Sequence, residues 1–297
     1  MIANRKLSFG IKTVQQRTTY EEILRIWKEA DSIPSIEHAW LFDHLMPLGS
    51  DFPSPLGGDT TGPCLEGWSL LAAYAAVTKR MRLGLMVTSN TYRHPAMLAN
   101  IGATVDIISG GRMDFGIGAG WNDTEHHAYR FPLYAPGERI RRLGEACEII
   151  KRMWTETAPS FEGTYYQIND AYCEPKPMQK PHPPFVIGGA GEKLTLRIVA
   201  QYATIWNFVG SIESFQWKGA LLDKYCTAIG RDPQTIQRSI QVLVNPTALE
   251  ETRSQLHSYI QAGATHLILS LLAPYPEGIV QRLDEEIVRP LKTAFES

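Results

Sequence analysis

Leu83-Gly84-Leu85-Met86-Val87 carries no polar side chain on either of its alternating faces. A strand with one face in water alternates apolar and polar, whereas a strand covered on both faces need not. Leu267-Ile-Leu-Ser-Leu271, near the other end, is apolar on both faces apart from Ser270. Working outward, strand candidates fall at 7–12, 38–42, 82–87, 112–117, 184–188, 204–209, 239–244 and 265–271. Helical apolar spacing lies between them. One such segment runs through Tyr20, Ile23, Leu24 and Trp27. A second runs through Ile140, Leu143, Cys147, Ile150 and Trp154, behind a Pro136-Gly137-Glu138 start. A third covers 249–262 and stops at Gly263. Strand-then-helix order, repeated, implies parallel strands joined by right-handed crossovers. Eight such units favour an α/β fold closed as a (β/α)8 TIM barrel over an open sheet.

Two stretches break the rhythm. Residues 43–67, after the second strand, form a long segment rich in Pro and Gly. Residues 158–184, between the fourth helix and the fifth strand, hold the alternating run Phe161-Glu-Gly-Thr-Tyr-Tyr-Gln-Ile168, which predicts a small hairpin, and then a cluster of prolines. Long loops in a compact domain are usually functional. With no linker and no internal repeat, residues 1–297 read as one barrel domain with two insertions.

Composition excludes several classes. A formal net charge of −2 and the lack of an extended basic cluster argue against nucleic acid and anionic membranes as partners. No apolar run is long enough to span a bilayer and no secretory segment opens the chain, which points to the cytoplasm. Cys64, Cys147, Cys173 and Cys226 lie far apart with no C-x-x-C pair, so free thiols are expected rather than a zinc site or disulfides.

In a parallel barrel the active site lies where the strands end. Asp43-His44 follows the second strand and Thr88 to Pro95 the third. Gly116-Ile-Gly-Ala-Gly-Trp121 closes the fourth, Gly188-Gly-Ala-Gly191 the fifth, and Trp206-Asn207 the sixth. In isolation Asp43-His44 would read as a helix cap and a surface histidine. At a strand end it reads as an acid–base pair, because histidine titrates near neutrality. The Gly116-x-Gly-x-Gly run is not a dinucleotide fingerprint: its third glycine is misplaced, and Trp121-Asn-Asp-Thr-Glu-His-His127 reads as a polar loop, not a helix entry. Its glycines would let backbone approach a flat ring, or simply make a turn. The run at 188–191 precedes a helical pattern (Leu194, Ile198, Val199), a start whose free N–H groups favour a phosphate. Glu125, His126 and His127 could hold a metal, but adjacent side chains point apart.

In order and spacing these motifs resemble the luciferase-like monooxygenase family, and more closely its coenzyme F420-dependent oxidoreductases. The matching residues are Trp40-Leu-Phe-Asp-His44, Gly84-Leu-Met-Val-Thr88, Tyr92-Arg-His-Pro95, Ser109-Gly-Gly-Arg-Met-Asp-Phe-Gly-Ile-Gly-Ala-Gly-Trp121, Gly137-Glu-Arg-Ile-Arg-Arg-Leu143, Phe185-Val-Ile-Gly-Gly-Ala-Gly191 and Ala203-Thr-Ile-Trp-Asn207. The resemblance implies that Asp43 and His44 stand beside a deazaflavin ring, His44 moving the proton and Asp43 supporting its imidazole. It implies a non-prolyl cis peptide in the Leu85-Met86-Val87 stretch behind that ring. It implies that Leu85, Met86, Thr88, Ala119 and Gly120 line the cofactor, and that Gly188, Gly189, Ala190 and Gly191 hold its phosphate. It further implies a small-molecule substrate and a homodimer, for which Trp68, Tyr74 and Ala72-Ala73 offer apolar surface. Thr204 departs from the pattern, standing where relatives often carry aspartate. Three activities follow: an F420-dependent hydride transfer, a two-component FMN-dependent monooxygenase on the same barrel, or a barrel that only binds flavin.

Overall fold

The computed structural model describes residues 6–49 and 57–296. Part of the insertion expected at 43–67 therefore lies outside the described residues. The first half of the barrel contains β1 (Ser8–Thr13), α1 (Tyr20–Asp31), β2 (His38–Leu41), α2 (Gly67–Val77), β3 (Arg82–Leu85), β4 (Thr88–Ser89), α3 (Pro95–Ser109), β5 (Met113–Gly118), α4 (Asp123–Tyr129) and α5 (Pro136–Thr155). The second half adds the hairpin β6 (Phe161–Glu162) and β7 (Gln167–Ile168), then β8 (Phe185–Gly188), α6 (Thr195–Tyr202), β9 (Ile205–Phe208), α7 (Ile212–Ala228), β10 (Gln237–Leu243), α8 (Leu249–Gln261), β11 (His266–Leu271), α9 (Ile279–Leu283) and α10 (Arg289–Glu296).

The strands pair in parallel in the order β3-β2-β1-β11-β10-β9-β8-β5-β4, and β3 also pairs with β5, which closes the barrel. β3 and β4 are two halves of one stave, interrupted at Met86-Val87, where the peptide is cis. Eight staves with helices between them make a (β/α)8 barrel. The expected hairpin is present, with Phe161 opposite Ile168.

Each element follows from its residues. Thr19 caps α1 by accepting from the Glu22 N–H at 3.3 Å, and the buried stripe of that helix is Ile23, Ile26, Trp27 and Ala30. Pro136 opens α5, where a missing N–H costs nothing, and Leu143, Cys147, Ile150 and Trp154 face the core. Gly263 ends α8 at a φ of +104°, a conformation that favours glycine. Outward strand residues and inward helix residues form one large core. A smaller cluster of Trp40, Met86, Val186, Ile205 and Ile268 fills the barrel itself. Gly116 is required there, because a Cβ would lie 1.8 Å from the Leu85 carbonyl oxygen.

Two arginines stitch the lower face. Arg80 Nη2 donates to the carbonyls of Ala30, Ile33 and Ile36 at 2.7–2.9 Å, where α1 leaves its last acceptors. Arg112 does the same after α2, donating to Ala75, Thr78 and Met81 at 2.7–2.9 Å. Inside that end, Asp114 Oδ2 meets His38 Nδ1 at 3.0 Å and Oδ1 accepts from Arg82 Nε at 2.9 Å. Among the described residues no helix is long and apolar enough to cross a membrane.

One reading needs correction. The stretch 121–127 is a helix entry: Asn122 caps α4, its side chain accepting from the Glu125 N–H at 3.2 Å. A capping Asn followed by acidic residues is an N-terminal signal in its own right.

Candidate active site

At the C-terminal ends of the staves lies a cavity of about 860 Å³. That volume falls in the range of pockets for cofactors and drug-sized ligands. Asp43, His44, Met86, Thr88, Ala119, Gly120, Gly188, Gly189, Ala190 and Gly191 all border it. Leu85 does not. Its side chain is the last of β3 to point outward and sits in the core between strands and helices, while Met86 turns inward.

Asp43 is buried. Its Oδ2 accepts from Thr88 Oγ1 at 2.6 Å, from the Ser89 N–H at 2.9 Å and from Arg93 Nη1 at 2.7 Å. Its Oδ1 is enclosed and has no hydrogen-bond partner among the described residues. Burial outweighs the pull of Arg93 and the other donors, so the carboxyl is raised above its ordinary pKa. Arg93 continues to Glu66 at 2.7 Å.

Asp43 is not the residue that orients His44. The imidazole Nδ1 lies 2.8 Å from Glu125 Oε2, on the short helix α4. Glu125 is fully buried and also accepts from Tyr92 Oη and the Leu45 N–H. Burial pushes its pKa up, but the hydrogen bonds from His44, Tyr92 and Leu45 outweigh that and hold it below the usual carboxylate range. An ionised Glu125 fixes the proton on His44 Nδ1 and leaves Nε2 for a ligand. Phe42 and Trp121 pack edge-on against the ring at 5.0 and 5.4 Å. His126 has both nitrogens occupied, Nε2 with Thr91 at 2.6 Å and Nδ1 with the Asn122 carbonyl at 2.5 Å.

The loop 188–191 follows β8, three staves round from β2. Gly189 has a φ of +121°, and its carbonyl accepts from Trp206 Nε1 at 2.8 Å. Helix α6 does not start directly after this loop but at Thr195, behind a turn. Arg139 and Ile140, from the first turns of α5, also border the cavity, Ile140 beside Gly191. Arg139 Nη1 donates to the Tyr134 carbonyl at 3.0 Å, while its enclosed Nε has no hydrogen-bond partner among the described residues. Thr204 is exposed and borders a smaller pocket at the N-terminal end of the barrel, so its departure from the family pattern does not touch this cavity.

Arg93 and Arg139 carry no role in the sequence reading, and Glu125 is weighed there only as a metal ligand. The signal for Arg139 was present in the Gly137-Glu-Arg139 run; that for Glu125 was its place three residues after a capping Asn.

The sequence matches the luciferase-like monooxygenase family profile over residues 7–290. The chain belongs to this family. Among curated relatives, an F420-dependent glucose-6-phosphate dehydrogenase of Microbacterium testaceum is 32% identical over 256 residues, covering 83% of this chain and 72% of the relative. An FMNH(2)-dependent dimethylsulfone monooxygenase of Pseudomonas putida is 32% identical over 152 residues, 50% of this chain and 42% of that protein. Among solved structures, an F420-dependent secondary alcohol dehydrogenase in complex with an F420-acetone adduct superposes with a TM-score of 0.82 at 16% identity, covering 97% of this chain and 99% of that one. That superposition shows the shared fold. This luciferase-like protein is an enzyme of the oxidoreductase class, and its relatives include both deazaflavin and flavin users.

Proposed function

We propose that the protein is a coenzyme F420-dependent oxidoreductase acting on a small organic substrate. The observation that carries this reading is the polarity of one cavity. Asp43, with an unpartnered oxygen, and His44 follow β2, while the loop 188–191 follows β8, three staves further round the barrel, and Arg139 borders the same cavity from α5. A ligand with a polar ring and an anionic tail fits that distribution. When bound, the deazaflavin supplies the carbon that gives or takes a hydride. Met86 and Val87 would back the ring, and Asp43 would meet a polar ring edge. The N–H groups of Ala190 and Gly191, with Arg139, would hold the phosphate. His44, with Nδ1 tied to Glu125, would carry a substrate proton on Nε2.

FMN is the alternative, favoured by the dimethylsulfone monooxygenase relative, since both cofactors place a ring and a ribityl phosphate in one pocket. Fluorescence-quenching titration decides. F420 binding more tightly than FMN supports the reading; the reverse order overturns it. Arg139→Ala should weaken F420 by about tenfold to a hundredfold, the worth of a charge-assisted hydrogen bond. Unchanged affinity would place the phosphate elsewhere.

A homodimer is also proposed, on a different surface from the one read in the sequence. Trp68 and Tyr74 are in the chain's own core, donating to Thr88 Oγ1 at 3.0 Å and to the Tyr20 carbonyl at 2.9 Å. Exposed apolar side chains instead stand on α2 and α3 (Val77, Met97, Ile108) and at Tyr172 and Met178. Light scattering showing a monomer at micromolar protein would discard it.

A further inference from the structure

The cavity contains one charge that the proposed chemistry leaves unused. Lys12 is the fifth residue of β1 and borders the cavity from the barrel wall. Its Nζ donates to Gln241 Oε1 at 2.8 Å. Gln241 is itself held: its Nε2 donates to Asn207 Oδ1 at 2.7 Å, and Asn207 Nδ2 donates to Ser239 Oγ at 2.9 Å. This chain of amides keeps Oε1 turned to the ammonium. Among the described residues Lys12 forms no ion pair. The other ionisable groups bordering the cavity have roles already: Asp43 pairs with Arg93, His44 with Glu125, and Arg139 is assigned above to the cofactor phosphate.

An ammonium has three donors, and one neutral acceptor satisfies one of them. A charge enclosed without a counter-ion is costly, and strands do not place lysines inside a barrel for packing. The cost registers as a pKa lowered by burial to about 8. The walls nearby are apolar, with Val14, Phe42 and Leu243 among them. Beside them Gln241, Asn207 and Ser270 offer neutral polar groups, so on this stretch of wall the charge that can select a ligand is that of Lys12.

We propose that Lys12, braced by Gln241, is a substrate-recognition residue that grips an anionic oxygen, so that the substrate class is small organic acids. This rests on the reading of the cavity as a redox site with room for a substrate beside the cofactor. An anionic oxygen could instead belong to the cofactor ring, and the test separates the two sources.

Butyrate and its neutral isostere butyramide are titrated into the cofactor-free full chain, made with 13C-labelled lysine. Butyrate should move the Lys12 Cε resonance and bind at least about tenfold more tightly than butyramide, the worth of a charge-assisted hydrogen bond. Lys12→Met should abolish that preference, and Lys12→Arg should keep most of it. F420 and FMN affinities of Lys12→Met should stay within about twofold of wild type. Equal affinity for butyrate and butyramide overturns the proposal. So does a loss of about tenfold or more in cofactor affinity on Lys12→Met, which assigns the oxygen to the cofactor. If Lys12→Met does not fold, the wild-type resonance and the amide comparison decide alone. Because butyrate is read without cofactor, a failure of the F420 assignment leaves this result standing.

Discussion

Asp43 and Asp114 are both buried in this barrel, each beside an arginine, yet they are built differently. Asp114, at the N-terminal end, uses both oxygens, meeting His38 on one and Arg82 on the other. Burial pushes its pKa up, but those partners prevail and hold it below the usual range. Asp43, at the C-terminal mouth, crowds three donors onto one oxygen and leaves the other without a partner, and burial prevails. The difference teaches which of the two carboxyls is finished as a structure and which keeps an oxygen for a ligand. A buried polar group left incomplete is unfavourable in the free protein, and a bound molecule can repay it.

The comparison can be broken most directly at Asp114. Asp114→Ala strips His38 and Arg82 of their acceptor and should cost about 3–5 kcal/mol of stability, as breaking a buried ion pair does. Urea denaturation measures it. The surviving folded fraction should bind cofactor normally, because Asp114 does not border the large cavity.

Next in size is the His44 assembly at the mouth. His44→Ala should lower turnover by about a hundredfold or more, the usual contribution of acid–base assistance. Glu125→Gln should lower kcat by about tenfold to a hundredfold with little change in KM, since it acts by holding the imidazole proton on Nδ1. A rise in KM with kcat unchanged would make Glu125 a packing residue only.

The smallest effect is the sharpest in sign. Asp43→Asn should change stability by about 1 kcal/mol or less near neutrality, because an enclosed charge with an unpartnered oxygen contributes little net stability. Its pH dependence should oppose that of Asp114→Asn. A carboxyl raised on folding contributes stability that is full below its unfolded value and lost as pH rises through the folded one. A carboxyl lowered on folding contributes above its unfolded value and loses it as pH falls through the folded one. Stability differences between wild type and each variant, measured from acid to neutral pH, should therefore slope in opposite directions. Parallel slopes would erase the distinction between the two ends.

The barrel was legible because buried parallel strands leave doubly apolar runs, and strand ends announced Asp43, His44 and the loop 188–191. Interactions across sequence were not. His44 and Glu125 are 81 residues apart, and no local pattern pairs them. The partner given to His44 in the sequence reading was its neighbour Asp43, which turns instead to Arg93. Leu85 was grouped with Met86 because both sit in one apolar run, while alternation separates them to opposite sides of the wall. Lys12 had a local signal, a charge within an apolar strand, but its meaning depends on a cavity that only closure of the barrel creates.

Arg80 and Arg112 have a consequence for how the chain reaches this state. Carbonyls at and just beyond the end of α1 accept from a side chain 44–50 residues further on, and those at and just beyond the end of α2 from one 31–37 residues further on. Local backbone N–H groups already reach Glu29, Ala30 and Ile33, so a chain that stops short of Arg80 lacks the second donor at the α1 end, and one that stops short of Arg112 lacks the side-chain donor to Ala75 at the α2 end. Each arginine ties a helix end to a later segment, and amide protons at the ends of α1 and α2 should therefore open to solvent exchange together rather than in sequence.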